Sequence, residues 1–275
     1  MRTDLKKNVL EQLYEKYNRR EYVHPDPIEF LYYFDTVGDR EIVGLIASSL
    51  AYGRVVQILR SIKMVLDKIG PSPREFLLNV SEEELRRRLL RFKHRFTTGE
   101  EMVEMLLSAK SLIERHGSLH ECFTSGLNDK ETTVLQALER FSDKLISRNG
   151  DREGAKNSLI PSPGLGSACK RINLFLRWMV REDEVDPGGW DGVPKSKLMI
   201  PLDTHMHRIG LALGLTGKKC ADGRCAAEIT EAFRKIEPDD PARYDFALTR
   251  LGIRPDCDMA AFLNELAGSK ELGDD

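Results

Sequence analysis

Pro161-Ser162-Pro163-Gly164-Leu165-Gly166-Ser167-Ala168-Cys169-Lys170-Arg171 runs straight into Ile172-Asn173-Leu174-Phe175-Leu176-Arg177-Trp178-Met179-Val180-Arg181. At about 100° per residue, Ala168, Ile172, Phe175, Leu176 and Met179 share one face, and that face is the buried one. Lys170, Arg177 and Arg181 fall within about 40° of one another on the opposite side, flanked by Arg171 and Trp178. The spacing predicts a helix over 167–181. No acidic residue interrupts it before Glu182. The stripe is therefore either a solvated face or a surface for a phosphate backbone, with an aromatic for an unstacked base. In the preceding turn, Gly164 and Gly166 leave backbone N–H groups uncovered. With a helix N-terminus behind them they can hold a phosphate oxygen, or simply connect two helices.

Further on, Ile200-Pro201-Leu202-Asp203-Thr204-His205-Met206-His207-Arg208 places Asp203 as the N-cap of a helix through Ile209 and Leu213. Asp203, His205 and His207 also have the order of a metal site. On a helix, however, residues two apart diverge by roughly 160°, so no metal is expected.

The same helical grammar extends outward. Asp26-Pro27 is an N-cap followed by proline at the first helical position. Asp39 opens a helix that stops at Gly53, and apolar residues at helical spacing run from Val55 to Ile69 before Gly70-Pro71. Thr98 and Glu101 form a capping box for a helix ending at Gly117, and Leu135 to Leu145 mark another. Alternating strand patterns are absent, so the fold class is all-α with essentially no sheet. Residues 149–166 and 186–201 read as loops.

Composition bounds the rest. The 275 residues are 41% hydrophobic and 31% charged, which excludes a disordered chain. No apolar run approaches the ~20 residues that span a bilayer, and residues 1–10 lack the apolar region of a secretory signal. Five cysteines at irregular spacing argue against a disulfide framework and fit a reducing, cytoplasmic location. A net charge of −2 excludes a globally basic nucleic-acid coat but not a local basic cleft.

Pro163-Gly164-Leu165-Gly166 followed by a helix, and then Leu202-Asp203-Thr204-His205, resembles the helix-hairpin-helix DNA glycosylase superfamily. Residues 45–53 are similar to the early helix of endonuclease III-like enzymes, and 208–215 to the continuation after their aspartate. Tyr244 to Cys257 is similar to the segment leading into their iron–sulfur loop. A subfamily shares Ser-Ala-Cys-Lys-Arg (167–171), Arg-Trp-Met-Val-Arg (177–181) and Pro-Leu-Asp-Thr-His (201–205). The similarity covers about residues 30–257 and is strongest over 163–215. Departures are specific. Ala168 stands where glycosylase-lyases place their lysine, and Lys170 lies two positions later. The interval from Lys170 to Asp203 is long, as in archaeal oxoguanine glycosylases. Cys257 lacks neighbouring cysteines, so no cluster and no other cofactor is expected. Gly53 and Arg54 occupy positions where a glutamine is common.

The resemblance implies a two-lobed fold, with residues 28–199 as a helical barrel ending in the hairpin and 1–27 with 200–275 as the second lobe. It implies base excision from duplex DNA by a monomer, without a membrane. Lys170 would attack C1′ of a flipped nucleotide, and Asp203 would take its proton or stabilise the developing positive charge. Gly164, Gly166, Ser167, Arg54, Arg171, Arg177 and Arg181 would hold phosphates, and Trp178 or Trp190 would stack on the base. A non-catalytic DNA- or RNA-binding protein on the same scaffold is the alternative that Ala168 favours. A metal hydrolase centred on Asp203, His205 and His207 is a third class.

Overall fold

The computed structural model describes residues 2–146, 157–253 and 262. The chain is built of helices: α1 (Arg2–Tyr17), α2 (Val37–Ser49), α3 (Val55–Ile69), α4 (Pro73–Asn79), α5 (Glu82–Leu89), α6 (Gly99–His116), α7 (Leu119–Thr124) and α8 (Leu135–Ile146). After the 147–156 segment follow α9 (Lys170–Val180), α10 (Thr204–Ala212), α11 (Gly223–Arg234) and α12 (Asp245–Ile253). Among the described residues, one antiparallel hairpin, β1 (Lys93–His94) with β2 (Thr97–Thr98), and an isolated bridge between Glu182 and Pro187 depart from the helical pattern. Among the described residues no helix is long and apolar enough to cross a membrane.

Local signals account for the boundaries. α3 spans the apolar run from Val55 and ends at Gly70, whose φ of 82° suits glycine. Thr98 and Glu101 make the reciprocal capping box that opens α6. Thr36, rather than Asp39, caps α2, accepting from the Asp39 N–H at 3.1 Å. Asp26 accepts from Ile28 N, but the segment it starts, Pro27–Tyr33, is a 3₁₀ helix. The 186–201 stretch is a loop with one short 3₁₀ turn. Residues 147–156 of the other expected loop, and Cys257, lie outside the described residues.

The buried apolar side chains form one continuous cluster. At its centre α9 lies against α2. Beside Phe175 stands Trp190, edge to face at 5.1 Å between centroids, a favoured aromatic geometry. The indole Nε1 of Trp190 donates to Glu41 Oε1 at 2.9 Å. Burial raises the proton affinity of Glu41, while the His120 and Leu119 N–H groups it caps oppose that shift. α1 packs along α12, and α10 also packs on α12. Glu11 on α1 accepts from Arg243 (2.9 Å) and Tyr244 (2.6 Å) just ahead of α12. These contacts bring the head of α10, and Asp203 with it, up to the start of α9.

Candidate active site and nucleic-acid interface

The helix expected over 167–181 begins three residues later. Cys169 adopts the left-handed conformation (φ 50°), uncommon for a residue with a Cβ, and Lys170 becomes the first residue of α9. Asp203 meets the expectation of an N-cap, accepting from Met206 N at 2.9 Å. These two helix starts bring Lys170 Nζ to 3.4 Å from Asp203 Oδ2, with side chains 30% and 22% exposed. Lys170 Nζ also donates to the carbonyl of Ala51 at 3.3 Å, beyond the end of α2. The amine is thus reachable from solvent and aimed by two acceptors. It opens onto a cleft of about 470 Å³ lined by Tyr52, Leu165, Gly166, Lys170, Arg171 and Asp222, among others.

The turn at 163–166 is a 3₁₀ element closed by Gly166 in the left-handed region (φ 76°). Gly164, Gly166 and Ser167 are exposed, and so is Arg54 at the head of α3. Because Ser167 to Cys169 intervene, the positive end of α9 does not abut the turn. The turn leans instead on α11, through the Gly223 N–H donating to Gly166 O at 2.9 Å. A Cβ on Gly223 would lie 3.0 Å from Ser167 O, so any side chain there would press on the backbone of the turn. Glu139 also reaches the turn: a Cβ on Gly164 would meet its Oε1 at 2.3 Å.

Four expected contact residues are not available to a nucleic acid. Arg177 and Arg181 are sealed in the core at 3% and 2% exposure. Arg177 pairs with Asp186 (3.1 Å) and Asp245, and Arg181 with Asp240 (2.9 Å), Asp183 (2.8 Å) and Asp186. Burial works against the charge of both guanidiniums, and the surrounding carboxylates outweigh it. The stripe has no partners along its own helix; they arrive from the following loop (Asp183, Asp186), from Asp240 between α11 and α12, and from Asp245 of α12. Trp178 and Trp190 are buried as well, at 0% and 2% exposure, and cannot stack on a base. Arg171 is half-buried and committed to the carbonyls of Ser49 (3.1 Å) and Ser158 (2.6 Å). Its guanidinium lies 5.0 Å from the Tyr52 ring centroid. It braces the cleft wall rather than offering a free phosphate contact. Ala168, expected in the core, is only partly buried against it.

The buried ion cluster reaches the site. Asp245 is sealed, and burial raises its carboxyl against the pull of Arg177, with the charge of Asp203 pushing in the same direction as burial. The two histidines of the metal-like segment part company. His207 Nε2 donates to Lys218 O at 2.8 Å, while His205 packs beside Gly252. Among the described residues no three His, Cys, Asp or Glu side chains are grouped to hold a metal.

The sequence reading missed the wall of the cleft. Tyr52 OH is bonded to His94 O (3.0 Å) and to Thr97 Oγ1 (2.6 Å). His94 Nε2 donates to Tyr52 O at 3.0 Å, and its Nδ1 takes the Ser61 hydroxyl at 2.9 Å. Burial lowers the proton affinity of His94, and Arg95 and Arg171 act in the same direction. An isolated Tyr52 after a helix, or a Lys-His-Arg-Phe run, carries no periodicity that would have flagged this assembly.

No curated protein and no solved structure matches the chain. A family model described as "Protein of unknown function (DUF2400)" matches residues 26–254, a span that holds α2 to α12, the Lys170–Asp203 pair and the glycine turn, and the chain belongs to that family.

Proposed function

We propose that this protein is a DNA base-excision glycosylase with lyase activity, using Lys170 as nucleophile and Asp203 as its proton acceptor. The observation that supports the reading is the 3.4 Å Lys170–Asp203 ion pair, whose lysine lines a cleft together with the exposed glycine turn. Asp203 takes a proton from the lysine ammonium, and the freed Nζ electron pair forms a bond to C1′ of the damaged nucleotide. The C1′–N bond to the base breaks, and the base leaves with that electron pair and picks up a proton. Opening of the C1′–O4′ bond, with O4′ taking a proton, gives the Schiff base. Asp203, held by its capping bond to Met206 N, stays within reach of the positive charge that develops on the sugar. The Gly166 N–H is spent on Pro163 O at 2.9 Å, so the phosphate contacts come from the exposed turn residues Gly164 and Ser167, with Arg54.

The second reading is a nucleic-acid-binding protein without chemistry, favoured by Ala168 at the usual lysine position and by the bond that ties Lys170 Nζ to Ala51 O. Base release from duplexes carrying oxidised, deaminated or alkylated bases separates the two. Release that disappears in Lys170→Gln and falls strongly in Asp203→Asn supports the enzyme. Binding without release from any of these substrates replaces it with the second reading.

A further inference from the structure

Two exposed apolar side chains flank the cleft. Leu165, in the glycine turn, is 87% exposed, and Phe96, at the tip of the β1–β2 hairpin, is 64% exposed. The hairpin is fastened to the site. Thr97 Oγ1 is 3.0 Å from Ser158 Oγ, and Ser158 O accepts from Arg171. The Phe96 ring stacks on Tyr52 at 5.1 Å and 27°, and Tyr52 lines the cleft. One face of Phe96 is therefore backed by an aromatic ring that is itself pinned by hydrogen bonds, while the outer face stays in water.

The tip conformation is strained in a directed way. Only Arg95 and Phe96 connect the two strands, and Arg95 has φ 55°, a value for which glycine or asparagine is the inexpensive residue. The arginine side chain is accommodated by Gly53, where a Cβ would lie 2.9 Å from Arg95 Cδ and Nη1. Its guanidinium then sits 5.9 Å from the centroids of both Tyr52 and Phe96. The exposed charges next to the tip in sequence are basic, while the Glu101 carboxylate at the foot of β2 is taken up by the N–H groups of Thr98 and Ser158. Neither 85–99 nor 42–66 contains an acidic residue, and Arg54, Arg91, Lys93 and Arg95 are exposed there. A flat ring open on one face, inside a basic surround, is complementary to a base with a free face and an adjacent phosphate. A base stacked within an intact duplex has no free face to offer.

We infer that the β1–β2 tip is a stacking platform for an unpaired nucleobase beside the cleft, so that the partner is a nucleic acid carrying an unstacked nucleotide at this point. This rests on the nucleic-acid part of the proposed function and not on the lysine chemistry. The test uses the full chain and two probes, a duplex with one bulged 2-aminopurine and its fully paired counterpart. The wild-type protein should bind the bulged probe more tightly and quench its fluorescence. Phe96→Ala should lose roughly tenfold or more of that affinity, together with the quenching. Phe96→Tyr should keep both, and circular dichroism should be the same for all three because the ring is exposed. Equal affinity of wild type and Phe96→Ala for the bulged probe overturns the platform, as does a wild-type protein that does not distinguish the probes or binds neither. Phe96-dependent binding with no base release removes the glycosylase and keeps the platform. Base release with Phe96-independent binding does the reverse.

Discussion

At its first turn α9 carries Lys170 and Arg171, which keep partial access to solvent, whereas Arg177 near its end and Arg181 just after it are buried. All four are cations, three of them on one helical stripe. The difference lies in what the rest of the chain brings to each end. The first turn meets the carbonyls of Ser49 and Ala51, at and just beyond the end of α2, and a single partly buried carboxylate, Asp203. The last turns meet Asp183, Asp186, Asp240 and Asp245. A buried guanidinium needs several acceptors to offset its lost hydration, so the acid-rich end becomes structure. The sparsely paired end retains a cation that chemistry can use.

Removing an acid from the sealed end tests this contrast with the largest expected effect. Asp186→Ala leaves two buried guanidiniums short of partners and should destabilise the protein by about 3–5 kcal/mol in urea unfolding. Lys170→Gln should cost under about 1 kcal/mol, since its ion pair is partly solvated. Comparable losses at both ends would erase the distinction.

A smaller effect should appear with pH at the cleft wall. His94 is held neutral, with its folded-state proton affinity below the ordinary value of 6.5. The unfolded chain therefore binds the extra proton first, and stability present above about pH 6.5 is lost as the pH falls below it. Thermal melts should show wild type losing more stability than His94→Gln between about pH 7 and 5. Parallel curves would mean that His94 does not titrate against the fold.

The smallest effect is chemical. Burial pushes the Cys169 thiol, next to Lys170, up to about 11, and Cys122 and Cys225 are also buried and raised. Iodoacetamide at neutral pH should label exposed Cys220 ahead of those three, which should stay untouched. Early labelling of Cys169 would mean that the start of α9 opens.

Much of this was legible in the sequence, for identifiable reasons. Caps and periodicity are local, so the α3 boundaries, the Thr98–Glu101 box and the Asp203 N-cap follow from neighbouring residues alone. The approach of Lys170 to Asp203 came from a family resemblance, and no local rule supplies it. Local reading failed where partners are distant in sequence. Arg177 waits for Asp245, Trp190 for Glu41, and Tyr52 for the strand pair at 93–98. A tryptophan within a basic stripe suggests base stacking until the core is seen to claim it. The left-handed Cys169, which moves the helix start to Lys170, breaks no rule visible in composition or spacing.

The central claim is that the first turn of α9 is the reactive end. It is tested most directly by borohydride trapping on an oligonucleotide with an abasic site, followed by peptide mapping of the adduct. Trapping should yield a covalent protein–DNA species whose only modified residue is Lys170, absent in Lys170→Gln and strongly reduced in folded Asp203→Asn. An adduct mapping to another lysine, or one that persists in Lys170→Gln, would contradict it.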